Sequence, residues 1–519
     1  MLLLSVFAEN VLKIVCLTGI PAVIPICVSA LTFYIAWIIL LFLWSIPIIL
    51  AEYAIGRFTR NSAPVAFFKF LGKHFIWVGG WLVATIFFLS AYYAVIIGWC
   101  IYYFYISCTA AALPSTEEDG LALFNDFARD SYWPLLTQLL AILLTSGFLF
   151  GGIRWIERAN LFLVPILLLI VVFTFVWSLT RDYAEVGITY LFTPSWQSLS
   201  NPGLWIAAAG QNAFDTSCGM ASLMTYATFM GRSAGIVRYS VTVPLINNLV
   251  SFYASIMLFS TVFSTLITTN PTLTRTAILK LLQDAGPGST GLTFTWIPVL
   301  FSKVGTFGRV LCALFFLSLT FAGISSLLSE IQVYILTLKD FGVSHRLAVS
   351  IAIIACTIVG VPSALSLHFL ENQDTTWGYG LIVSGFLIAI VVVIYKPTRF
   401  RQVLINQFGT DDWKVPMLWI PVIAFMVPVQ TIILLVWWIY EQIQHDPSWF
   451  ELSLSSLMGT LFEWLITLCL LVLVNIIVVC FKRTLFIRVR TTGCNPHDPK
   501  TYENLDDISI EGIRFVKEF

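Results

Sequence analysis

The sequence predicts an all-α polytopic membrane protein with about 12 transmembrane helices. Composition is the first ground: 58% of the 519 residues are hydrophobic, 11% are charged and the mean hydropathy is +0.89, whereas a soluble domain carries about 25% charged residues. The second is the recurrence of apolar runs of roughly 18 to 30 residues, each long enough to cross a bilayer. An alternation of basic and acidic connections between those runs is the third.

Taken in order, firm spans are expected near 30–55, 76–107, 134–152, 159–181, 203–230, 239–267, 306–338, 346–368, 376–396, 415–441 and 457–481, with a weaker one near 5–25. Basic residues fall on alternate connections: Arg57, Arg60, Lys69 and Lys73; Arg154 and Arg158; Arg232 and Arg238; Lys339 and Arg346; Lys396, Arg399 and Arg401; Lys482, Arg483, Arg488 and Arg490. The others carry acids, as in Glu117 to Asp119, Asp182 with Glu185, Glu371 with Asp374, and Glu441 with Asp446. The positive-inside rule then puts both termini in the cytoplasm, and the expected location is the plasma membrane. A membrane domain is expected over 1–482, with 1–29 as an atypical first segment, and a cytosolic tail over 483–519. The start, MLLLSVFAEN, lacks a basic n-region and reads as a membrane segment rather than a signal peptide. Between the sixth and seventh firm spans, Leu273–Ala285 reads as an amphipathic surface helix, either a lid or a cap on the bundle.

Composition also excludes functions. The 28 basic and 28 acidic residues cancel, so no nucleic-acid partner is implied; the partners expected are a small molecule and the lipid bilayer. Ten cysteines without a CxxC pair argue against a zinc site or a disulfide framework. No HExxH, GxSxG or phosphate-binding loop appears, so no enzymatic activity is expected.

The most informative stretch is Trp205 to Arg232, WIAAAGQNAFDTSCGMASLMTYATFMGR. It places the carboxylate of Asp215 at membrane depth, where an ionisable group is costly and marks a polar cavity or ion path. Asp215, Thr216, Ser217, Cys218 and Gly219 are poor helix formers between apolar half-helices, Leu204 to Phe214 and Met220 to Met230. The span should therefore break, and a break in lipid is tolerated only where it lines an internal site.

That phrase, together with SIPIILAEYAIGR at Ser45 to Arg57, the pair Tyr92-Tyr93 and FAGISSLLSEIQ at Phe321 to Gln332, resembles the neurotransmitter:sodium symporter family, whose members include sodium- and chloride-dependent transporters. It looks closer to the microbial branch. The resemblance implies two inverted five-helix repeats with discontinuous helices plus two further helices, and sodium-coupled symport of amino acids or related amines. It implies one sodium at Asp215 and Asn247 and a second at Ala322, Ser325 and Ser326. For substrate it implies Tyr93, Phe214, Ser217, Met220, Ser326 and Glu330, while Glu52 resembles an acid that supports the unwound regions. Interhelical hydrogen bonding competes for Asn247, and small-residue packing for the serines; Glu330 has the alternative of pairing with another polar residue.

Gln211 and Ser251 match two groups of the family's chloride site, but Asp215 occupies the third position and Trp37 replaces the expected tyrosine. A fixed carboxylate supplies the negative charge a chloride would bring, so sodium is the expected coupling ion and chloride is expected not to be required. The family's first-helix phrase, Gly-Asn-x-x-Arg-Phe-Pro, is not reproduced; the nearest text is Asn10-Val11-Leu12-Lys13-Ile14. Two classes of function therefore stay open: a symporter, or a transport-incompetent relative acting as a binding or regulatory membrane protein. A gene model with a wrong N-terminus is the further alternative.

Overall fold

The computed structural model describes residues 20–269, 274, 292–454, 456–480 and 493–497. The expected first span near 5–25 lies mostly outside these residues, and so does Leu273–Ala285 except for Thr274. Within them the chain forms helices and no strand. The helices are α1 (Ile20–Leu40), α2 (Ile46–Thr59), α3 (Ala63–Leu71), α4 (Ile76–Thr109), α5 (Glu117–Ala128), α6 (Trp133–Leu149), α7 (Ile153–Leu179), α8 (Ala184–Leu191), α9 (Pro202–Asp215), α10 (Ser222–Ala227), α11 (Ile236–Thr269), α12 (Ile297–Ser302), α13 (Thr306–Asp340), α14 (His345–Leu365), α15 (Leu367–Tyr395), α16 (Val427–His445) and α17 (Leu457–Cys480).

Among the described residues, nine helices are long and apolar enough to cross a membrane, counting α1–α2 as one through a π-helical turn at Leu41–Ser45. The pair α5–α6, bent by 72°, forms a tenth. With the broken pair α9–α10, this accounts for the eleven firm spans. Helices α4 and α13, of 34 and 35 residues, are longer than a bilayer core of about 30 Å requires, since they extend about 50 Å. They pack against each other through the centre of the bundle, with α6, α7, α14 and α15 around them.

Three boundaries differ from the sequence reading. The described part of helix α1 begins at Ile20 and so reaches into the segment assigned to the weak first span. The loop from Ser107 to Trp133 contains α5, whose start is fixed by a capping box: Thr116 Oγ1 accepts from Asp119 N while the Asp119 carboxylate accepts from Thr116 N. The third difference concerns Glu371 and Asp374, which are not in a connection but in the first turns of α15, after a helix–helix junction at Ser366. The polar run at its start is satisfied from afar: Asn372 Nδ2 donates to Leu454 O at 2.5 Å and Gln373 Nε2 to Glu463 Oε2 at 3.1 Å.

The end of the bundle carrying the basic loops is closed around Arg57, whose side chain is fully buried. It donates to Ala234 O at 2.8 Å and lies over the Phe408 ring. Residues 493–497, expected as part of a free tail, dock here: Cys494 N donates to Phe58 O at 2.9 Å and Tyr395 Oη to Pro496 O at 2.6 Å.

Candidate functional site

The break between α9 and α10 spans 216–221 and is built from residues that a helix cannot hold. Ser217, Gly219 and Ala221 have φ of 55°, 83° and 56°. Each non-glycine residue in that left-handed region costs about 1 to 2 kcal/mol, so the segment persists only because its surroundings define it. Gly219 is required twice over, since a Cβ there would sit 2.7 Å from Leu381 O. Glu52 of α2 supplies the other restraint: its Oε1 accepts from Gly219 N at 2.6 Å, and both groups are buried. This is the support that the sequence expects of Glu52, here resolved to one backbone amide. Cys218 Sγ adds a weak contact to Ser45 O at 3.8 Å.

Asp215, the last residue of α9, is fully buried and faces α11. Asn247 Nδ2 donates to the Asp215 carbonyl at 2.9 Å. Ser251, one turn further along, shares its hydroxyl proton between Asp215 Oδ2 at 3.3 Å and Asn247 O at 3.1 Å. The structure thus brings Asp215 together with Asn247 and Ser251, 32 and 36 residues further along the chain, while Gln211 lies one turn back on α9. Asn247 Oδ1 is buried and has no hydrogen-bond partner among the described residues. A buried amide oxygen left over beside a carboxylate suits a hard cation, because only a positive charge repays its desolvation.

Ala322, Ser325 and Ser326 share one turn of α13, all fully buried. Ser325 Oγ donates to Asn160 Oδ1 of α7 at 2.7 Å, and Ser326 Oγ to Ala322 O at 3.2 Å. Both hydroxyl protons are thereby directed at protein acceptors. A hydroxyl keeps its lone pairs when it donates, so these oxygens remain able to face a cation. Asn160 anchors this turn to α7.

Of the substrate candidates, Tyr93, Ser217, Met220, Ser326 and Glu330 are all buried. Phe214 is half-buried, with its ring edge against Gly378 of α15. Tyr92, the other member of the pair, donates to Asp374 Oδ1 at 3.0 Å and so ties α4 to α15. Glu330 lies within electrostatic reach of Tyr92, Tyr334 and Cys356, at the junction of α4, α13 and α14.

Three residues that the sequence reading passes over complete the polar seam. Tyr34 of α1 donates to Ser255 Oγ at 2.6 Å, one turn beyond Ser251. Asn212 of α9 donates to Trp37 O at 2.8 Å, which locks α9 onto α1 at the position where a tyrosine was expected. The signal for Ser255 was present in the i, i+4, i+8 series Asn247, Ser251, Ser255.

Comparison with known proteins identifies this architecture. The family model described as the sodium:neurotransmitter symporter family matches residues 30–119 and 126–485. An uncharacterized sodium-dependent transporter of Methanocaldococcus jannaschii is 30% identical over 388 residues, covering 71% of this chain and 76% of that protein. One from Bacillus subtilis, YhdH, also described as an uncharacterized sodium-dependent transporter, is 24% identical over 416 residues, covering 77% and 88%. Among solved structures, MhsT in complex with L-phenylalanine superposes with a TM-score of 0.70 at 25% identity, covering 84% of this chain and 97% of that one. Among the described residues the fold is that of an all-helical, polytopic membrane protein of the kind seen in MhsT.

Proposed function

Because the chain belongs to the sodium:neurotransmitter symporter family, we propose that it is a sodium-coupled secondary transporter of amino acids or related amines. One observation carries the reading: Asn247 and Ser251 of α11 clasp the backbone and carboxylate of Asp215 at the break, beside a buried amide oxygen with no hydrogen-bond partner among the described residues. Sodium at Asp215 and Asn247 neutralises a carboxylate that is otherwise expensive at membrane depth. The second sodium takes the Ala322, Ser325 and Ser326 turn. Phenylalanine bound in MhsT supports an amino acid as the substrate class. Its amine and carboxylate go to the break, where backbone groups of 216–221 are exposed by unwinding, with Tyr93, Phe214, Ser217, Met220, Ser326 and Glu330 as lining.

Chloride is not required in this account, because the carboxylate of Asp215 occupies the place of an anion between Gln211 and Ser251. The protein is placed in the plasma membrane with both termini cytoplasmic, on the positive-inside distribution of its loops. The test is uptake of radiolabelled amino acids into proteoliposomes by the protein supplied with a family-type first helix, with sodium replaced by potassium. Sodium-dependent accumulation supports the proposal, and equal uptake in the two salts rejects it.

A second reading rests on residues 1–29, which lie outside the family match and lack the Gly-Asn-x-x-Arg-Phe-Pro phrase. Both sodium sites and the substrate site draw on that helix in the family, so on this second reading the chain is a transport-incompetent relative that binds or regulates. Weak or absent uptake by this sequence, with uptake gained on adding the first helix, is the expected outcome. Robust sodium-dependent uptake by this sequence would remove the second reading.

A further inference from the structure

We propose that a cleft between α4, α13 and α17, on the flank of the bundle, binds one acyl chain of an anionic phospholipid whose headgroup sits at Lys73 and His74. The cleft has a volume of about 340 Å³ and runs along α4 from Ile76 to Phe87. The eleven helical steps from Ile76 to Phe87 rise about 16 Å, which matches the roughly 15 Å hydrocarbon depth of one bilayer leaflet. The cleft therefore has the length and direction of a single lipid tail.

Its chemistry points the same way. No charged residue lines it, and Asn475, Thr337 and Tyr334 have hydrogen-bond partners within the protein. Asn475 of α17 accepts from Trp77 N at 3.1 Å and donates to Lys73 O at 3.1 Å, while Thr337 Oγ1 donates to Val333 O at 3.0 Å. A cavity with so apolar a lining offers little to an ordered water and favours an apolar guest. Several lining residues, among them Gly80 and Leu471, are part-exposed, so the cleft opens sideways to the bilayer rather than into the transport path.

The occupant's headgroup is selected by the mouth. Asn475 fixes the turn Lys73–Phe75 directly above the first lining residue, Ile76, and Lys73 and His74 are exposed there. The nearby Asp340 carboxylate is buried and turned inward, accepting from Ser62 N at 2.8 Å. A cationic mouth over an apolar slot fits a phosphate-bearing anionic lipid on the basic-loop side of the membrane, where such lipids attract lysines.

Native mass spectrometry of the full chain, equilibrated with phosphatidylglycerol and phosphatidylcholine of the same acyl composition, tests this. Wild type should retain one phosphatidylglycerol that Gly80→Phe does not, since a Cβ at position 80 already lies 3.0 Å from Leu471 Cδ2. Ala84→Leu provides a milder filling should the larger side chain impair folding. Lys73→Gln, on the exposed turn, should keep the fold and lower the preference for phosphatidylglycerol about fivefold. Equal retention by wild type and both filled variants overturns the site. Equal retention of the two lipids by wild type, or stronger retention of a neutral sterol, overturns the occupant.

Discussion

Glu52 Oε1 accepts the amide of Gly219 at 2.6 Å, so an acid on α2 holds the middle of the break in the α9–α10 span. A buried hydrogen bond of this kind contributes about 1 kcal/mol, and leaving the Gly219 amide without its acceptor costs about 1 to 3 kcal/mol. Glu52→Ala should lower the thermal midpoint of the purified protein and abolish substrate protection against unfolding. Glu52→Gln, whose amide oxygen still accepts, should recover most of the midpoint. Equal midpoints for the alanine variant and wild type would show that the break is held by other contacts.

Gly219 is subject to a sterner limit than the acid that holds it. Gly219→Ala adds a Cβ 2.7 Å from Leu381 O to a residue with φ of 83°. The cost should reach about 2 kcal/mol or more, read as a lower denaturation midpoint, together with lost uptake in the protein carrying a family-type first helix. An alanine variant of wild-type stability would mean that the left-handed turn is dispensable.

Asp215 and Ser251 together predict the anion dependence of transport. Asp215→Ser removes the fixed charge and leaves hydroxyl and amide groups from Ser251, Gln211 and the new serine around the vacated position. In the protein with an intact first helix, uptake should persist but become chloride-dependent. Unchanged uptake without chloride would show that Asp215 acts only as a terminal acid of the broken helix.

Lys69 gives a pH dependence outside the membrane. Burial, set against the favourable field of Asp340, lowers the Lys69 amine from 10.5 to about 8. The folded state therefore holds this proton less tightly than the unfolded state. Its contribution to stability is fully present above pH 10.5 and is lost as pH falls toward about 8. Lys69→Met should flatten the rise in thermal midpoint between those two pH values. A variant with the wild-type slope would assign that slope to other groups.

Much of the site was legible because its polar residues stand out against an apolar background. Asp215 in a run of poor helix formers predicted the break, and the series from Asn247 to Ser251 sits on one face of a helix by spacing alone. What the sequence hides is where polar residues are satisfied. Asn372, Gln373 and Asp374 read as a connection, yet they form the first turns of α15, because Leu454 O, Glu463 and Tyr92 meet them from distant parts of the chain. Likewise, the partnership of Ser325 with Asn160, 165 residues away, follows from packing of α13 on α7 and from no local pattern. Asn212 escaped notice because its partner is a backbone carbonyl, that of Trp37, which leaves no trace in residue type.

The central claim is that Asp215 and Asn247 hold the coupling sodium, and direct binding of radioactive sodium to the purified protein carrying a family-type first helix measures it most directly. Wild type should bind sodium saturably, and Asn247→Ala, which removes the buried amide but spares the Asp215 carboxylate, should weaken binding by roughly tenfold or more while the protein stays folded. Saturable sodium binding that is unchanged in both Asn247→Ala and Asp215→Ala would contradict the account.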